Sequence, residues 1–148
     1  MRSVMVAAVA AAGLLAAGAG TGVAASGAAT VKTRHGALGT FLVGPNGRTL
    51  YLFEKDKSTK STCSGACAKA WPPLLTTGKP KASGSAKASL LGTTKRSDGK
   101  TQVTYKGHPL YYFVQDKKAG ETKGQGIDGF GAEWYVLAPS GKKIERGS

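Results

Sequence analysis

The feature that most constrains this chain is a repeated block. Gly47 to Asp56 reads GRTLYLFEKD and Gly107 to Asp116 reads GHPLYYFVQD, with Gly, Leu, Tyr, Phe and Asp coinciding at a constant offset of 60. Leu38-Gly39-Thr40 precedes the first block and Leu91-Gly92-Thr93 the second, while Trp71 and Trp134 follow, each seven residues ahead of a glycine, Gly78 and Gly141. Matched residues kept in order mark a duplicated unit, and a unit too small to cover its own apolar face must pack on its neighbour. At 148 residues the chain has the size of one domain. The expected architecture is all-β, with two tandem related units of antiparallel hairpins packed into one small domain and little helix.

The blocks themselves read as strands. Leu50-Tyr51-Leu52-Phe53 and Leu110-Tyr111-Tyr112-Phe113-Val114 are short, aromatic-rich and bounded by turn residues. Alternation puts Tyr51 and Phe53 on one face and Leu50 and Leu52 on the other, so both strands should be central and covered on both sides. Turn signals at Gly44-Pro45-Asn46-Gly47, Ser97-Asp98-Gly99-Lys100 and Ala138-Pro139-Ser140-Gly141 supply the hairpins. The distance from Leu91 to Tyr111 exceeds that from Leu38 to Tyr51, which predicts an additional ribbon in the second unit. Ser64 to Ala70 is the one plausible helical piece. The expected boundaries are a flexible N-terminal segment over 26–36, repeat unit 1 over 37–78, a Gly, Pro, Ser and Lys-rich linker over 79–88, and repeat unit 2 over 89–148.

Residues 1–25 have the layout of a secretory signal peptide: a charge at Arg2, an apolar run from Val4, and a small-residue stretch ending Val23-Ala24-Ala25. The run is short and rich in Ala and Gly for a membrane span, so no transmembrane segment is expected after cleavage. No cysteine lies near the cleavage region, and the product is expected to be secreted, soluble and not lipid-anchored.

At Tyr51-x-Phe53-x-x-Asp56, Cys63 to Trp71-Pro72-Pro73, and Tyr111-x-Phe113-x-x-Asp116, the chain resembles a bacterial family of secreted repeats. Its members are often predicted lipoproteins with a tandem Tyr-x-(Phe/Trp/Tyr)-x-x-Asp motif. The resemblance spans Leu38 to Gly141. It implies export and a tandem architecture, and it brings no established biochemical role. Lack of a lipid-accepting cysteine departs from the lipoprotein pattern.

The motif residues are the first candidates for a site. Asp56 and Asp116 are read as turn-forming carboxylates that bond backbone N–H groups; the functional alternative pairs Tyr51 with Asp56 and Tyr111 with Asp116 at two related ligand sites. Phe53, Phe113, Trp71 and Trp134 belong to the same set, read as core or as platforms for a stacked ligand. A calcium loop over Asp116 to Asp128 is disfavoured, because Lys117, Lys118 and Lys123 stand where oxygen ligands are needed. Cys63 and Cys67 form an even pair in an exported chain and are read as a disulfide. The alternative is an extracytoplasmic redox or copper site using Cys63, Cys67 and His108.

No Gly-x-Ser-x-Gly, His-Glu-x-x-His or phosphate-cradling glycine loop is present. A non-enzymatic role is expected, and an enzyme or inhibitor would need a cleft joining Tyr111, His108 and Asp116. Lys and Arg total 21 against 8 Asp and Glu, a net charge of +13. Lysine predominates over arginine and concentrates in Lys55 to Lys60, Lys79 to Lys87 and Lys117 to Lys123. That favours diffuse attraction to an acidic surface such as an anionic cell-wall polymer, and no motif for sequence-specific nucleic-acid reading accompanies it.

Overall fold

The structure is a computed structural model that describes residues 27–147; the leader expected over 1–25 lies outside the described residues. The regular structure of the described chain is almost all short strands: β1 (Thr30–Gly36), β2 (Gly39–Val43), β3 (Tyr51–Phe53), β4 (Lys81–Ala82), β5 (Leu91–Lys95), β6 (Thr101–Tyr105), β7 (His108–Pro109), β8 (Asp128–Gly129) and β9 (Ala132–Val136). One short helix, α1 (Ala66–Ala70), and a 3₁₀ turn over Ala88–Leu90 complete it. The strands form three small sheets with orders β2-β1-β4, β3-β9-β8 and β5-β6-β7. The fold is all-β, and α1 falls within the predicted Ser64 to Ala70.

Two corrections follow, the first to the boundaries. Thr30–Gly36, expected to be flexible, is a strand that pairs antiparallel with β2 from Lys32↔Val43 to Gly36↔Gly39. Within the expected linker, Lys81–Ala82 runs parallel to its start through Thr30↔Lys81 and Val31↔Ala82. The reason the first strand escapes a sequence reading is that Val31 is its one fully buried residue, so polar and charged side chains fall on both faces and backbone pairing holds it.

The second correction concerns the ribbon. The Leu42 amide donates to the Leu137 carbonyl (3.0 Å) as the Val103 amide donates to that of Leu74 (2.9 Å), and the Leu50 amide reaches the Leu42 carbonyl (3.1 Å) as that of Leu110 reaches Val103 (3.0 Å). Strand β2 therefore corresponds to β6 and β1 to β5, and each unit carries one hairpin ahead of its motif. The two Leu-Gly-Thr triplets do not correspond: Leu38 lies in the β1–β2 turn and Leu91 opens β5.

The strand reading holds for Tyr51–Phe53, which pairs with β9 through Tyr51↔Val136, Leu52↔Tyr135 and Phe53↔Trp134. The strand expected over its counterpart Leu110–Val114 is not formed: Tyr111 makes only isolated bridges, to Tyr51 and Pro73, and Val114 already lies in a turn. Where Tyr51 faces Val136, Tyr111 faces Pro73, and the prolines at 72 and 73 have no N–H to give to a ladder. The Tyr112 amide still donates to the Pro72 carbonyl (2.7 Å), and the reciprocal bond has no donor.

Alternation sorts the core as expected. Tyr51, Phe53, Tyr111, Phe113, Trp71 and Trp134 share one cluster, whereas Leu42, Leu50, Leu52, Leu74, Val103, Leu110 and Leu137 share the other.

Candidate functional site

The two copies meet at their motifs. The Tyr51 amide donates to the Tyr111 carbonyl (2.8 Å) and the Tyr111 amide to that of Tyr51 (3.0 Å), so the two tyrosines face each other across a local two-fold arrangement. Their phenols then cross over. Tyr51 donates to Asp116 Oδ2 (2.6 Å), and Tyr111 donates to Asp56 Oδ2 (2.6 Å). Tyrosine and aspartate do pair, but each with the partner from the other copy, which corrects the within-copy pairing considered from sequence.

Each carboxylate also holds a turn, as the sequence reading has it. Asp56 and Asp116 close turns by donating their amides to the Phe53 and Phe113 carbonyls (3.0 Å each). Asp56 Oδ1 accepts from the Thr62 amide (2.7 Å) and hydroxyl (2.6 Å), and Asp116 Oδ1 accepts from the Lys123 amide (2.8 Å).

Burial in apolar surroundings pushes both the Tyr51 and Tyr111 phenols well above the usual tyrosine range, and the adjacent carboxylates add to it. Asp116 is itself raised, by burial first, against the lowering effect of the Tyr51 hydrogen bond. The Tyr111–Asp56 pair has further support. Buried Arg96 donates through Nη1 to Ser61 Oγ (3.1 Å) and to Gln102 Oε1 (2.8 Å), and through Nη2 to the Cys63 carbonyl (2.9 Å). Ser61 Oγ lies 2.7 Å from the Tyr111 hydroxyl. Since that phenol gives its proton to Asp56, Ser61 is the donor, and a chain of donors runs from guanidinium to carboxylate. At the other pair the Gly124 amide donates to the Tyr51 oxygen (3.1 Å). A Cβ on Gly124 would stand 2.8 Å from the Trp71 ring and 2.9 Å from that of Tyr51, so only glycine admits this approach.

Around the crossed pairs the six aromatic residues pack as a unit. Trp71 and Trp134 stack at 3.9 Å and 4°, Phe53 stacks on Trp134 at 3.9 Å, and Phe113 stacks on Trp71 at 4.1 Å, giving a four-ring pile. Tyr51 meets Trp71 edge-on at 5.3 Å, and Tyr111 meets Trp134 likewise at 5.1 Å. All eight motif and tryptophan side chains named from sequence are brought together here, and all are buried. Arg96, Ser61, Thr62 and Gln102 were not foreseen. An arginine among the lysines flanking the Ser97-Asp98-Gly99 turn is the hint the sequence holds.

Cys63 and Cys67 are joined in a disulfide, and both residues are buried. A copper site on these sulfurs would require the bond to be reduced, and among the described residues no three His, Cys, Asp or Glu side chains are grouped to hold a metal ion. Closing so short a loop contributes about 2 kcal/mol by loop entropy. Titration of the native protein with a thiol reagent is expected to find no reactive thiol, and titration after reduction in denaturant two; thiols titrating before reduction would contradict the bond. The calcium-loop option meets an obstacle, because both Asp116 oxygens are engaged while Asp128 is exposed in β8. His108 lines a surface cavity with Leu52, Glu54, Lys106 and Lys143, and neither Tyr111 nor Asp116 lines it. The cleft an enzyme would need from those three residues is not formed among the described residues.

These observations define a duplicated all-β domain whose repeated motif forms the joint between its own halves. The chain belongs to the family described as a secreted repeat of unknown function, whose model matches residues 32–75 and 92–138, one match per copy. No curated protein and no solved structure matches it. Among the described residues, no helix is long and apolar enough to cross a membrane.

Proposed function

We propose that this protein is a secreted, soluble, non-catalytic binding or structural module that associates electrostatically with anionic cell-wall polymer. The observation carrying this reading is how the fold distributes charge. Fourteen of the sixteen lysines are exposed, while two of the eight acids, Asp56 and Asp116, are withdrawn into the core. With Arg96 also buried, the net withdrawal is one negative charge, so the surface is slightly more positive than composition alone conveys. Lysine ammonium groups spread over loops suit a flexible polyanion better than a ligand requiring a bidentate fork. A non-catalytic role is supported by the motif itself, since its phenols and carboxylates are mutually bonded in the interior.

Sedimentation with purified bacterial walls over a salt series tests this. Retention at low salt and release between about 0.1 and 0.5 M, as the screening length falls below about 10 Å, is the expected result. Retention unaffected by salt, or none at low salt, would remove the electrostatic reading.

A further inference from the structure

We propose that the cavity between the β6–β7 turn and the C-terminal segment is a phosphate-binding subsite for a polyol-phosphate or sugar-phosphate unit. This deepens the wall-polymer reading and rests on it. The cavity holds about 460 Å³, within the range of small-ligand sites, and its apolar base is the buried Leu52.

Its charges are sorted. Lys143 is 3.1 Å from Glu54 and 3.7 Å from Glu145 and lies 4.8 Å over the Tyr135 ring, so it is fixed between two carboxylates in a wall that keeps one net negative charge. Lys106 and Lys142 form no ion pair within 4.0 Å among the described residues, and they line the same cavity as His108. Three ammonium groups against two carboxylates leave one positive charge in excess, on the side of Lys106, Lys142 and His108, and beside an apolar base that suits an anion with a carbon skeleton. The donors are lysines with no arginine among them, which suits the compact charge of a phosphate rather than bidentate capture of a carboxylate.

Lys106 is also placed at a cost. It has φ +50°, followed by Gly107 at +83°, in a two-residue turn where asparagine or glycine would relieve the strain. Its stem lies against Gly141, where an added Cβ would come within 2.6 Å of Lys106 Cδ and 2.7 Å of Cβ. With φ +90°, Gly141 must be glycine for its own backbone as well. Strain accepted at a residue whose side chain is then seated over a glycine is the pattern of a preorganised site.

The test is titration of the secreted chain with inorganic phosphate and with glycerol phosphate, followed by calorimetry and by NMR of the lysine ammonium and His108 ring signals. Saturable binding is expected, with glycerol phosphate tighter, and the Lys106→Met/Lys142→Met variant should weaken it at least tenfold. A Lys79→Met/Lys87→Met control removes equal charge elsewhere and should change it less than twofold. The single Lys142→Met variant, at an ordinary backbone position, carries the test if the double variant fails to fold; a threefold or greater loss supports the site. Equal losses in variant and control, or no saturable binding to either probe, overturn it. Salt-sensitive wall retention that both double variants lose equally leaves the wall reading standing and removes this subsite; phosphate binding without wall retention does the reverse.

Discussion

Trp134→Ala is expected to lower the unfolding free energy by about 3–5 kcal/mol, and Trp71→Ala by a similar amount. Either ring is the middle of a stack: Trp134 lies between Phe53 and Trp71, and Trp71 between Trp134 and Phe113. Removing one leaves a cavity flanked by flat faces that cannot collapse without moving a strand. It also forfeits stacking worth roughly 0.5–1.5 kcal/mol per pair beyond area burial. Small domains hold about 5–15 kcal/mol in total, so each variant should melt roughly 10–20 °C lower and sit close to the folding threshold. Denaturant unfolding followed by tryptophan fluorescence checks this. A loss below about 1 kcal/mol in either would mean that the stack is not what joins the copies.

Double-mutant cycles should find Tyr51 coupled to Asp116 and Tyr111 coupled to Asp56, each by about 1.5–3 kcal/mol, the range for buried hydrogen bonds to charged acceptors. Phe and Asn replacements serve for the cycles. Coupling within a copy, Tyr51 to Asp56 or Tyr111 to Asp116, should be smaller, and the reverse order would refute the crossed geometry. The same pairs govern alkaline stability. A phenol whose folded pKa is raised contributes its full stability below the unfolded value near 10 and loses it as pH climbs toward the folded value. Both motif phenols are raised by burial, and Tyr112 is pushed up to about 12. Each motif tyrosine should therefore cost about 1.4 kcal/mol by pH 11. Absorbance at the tyrosinate band should show these phenols silent until the protein unfolds, and ionisation in the native state near pH 10 would contradict their burial.

Much of this arrangement was legible in residue order. A constant offset of 60 marks which residues correspond, and aromatic-rich strands with two apolar faces mark a core. Correspondence does not reveal contact, however. Tyr51 and Asp56 are near in sequence, and although the turn at Asp56 is legible, nothing local shows that its carboxylate meets a phenol 55 residues away. The hairpin of the first copy is obscured because its first strand carries Lys32, Arg34 and His35 and buries little. The identical Leu-Gly-Thr triplets then drew the alignment out of register. Pro72 and Pro73 are legible as a turn, whereas their effect falls on the opposite segment, where the Leu74 amide reaches the Leu110 carbonyl but Pro72 has no N–H to return to Tyr112.

Neither half can complete itself. A polypeptide carrying one Tyr-x-Phe-x-x-Asp unit would present a phenol lacking its acceptor and a carboxylate lacking its donor, and could satisfy both only by borrowing from a second molecule about a true symmetry axis. Fusion of the two units makes that exchange intramolecular, so the assembly no longer depends on protein concentration. It also frees the surfaces to diverge: one copy closes its loop with Cys63 and Cys67, and the other spends the corresponding stretch on the hairpin leading to Trp134.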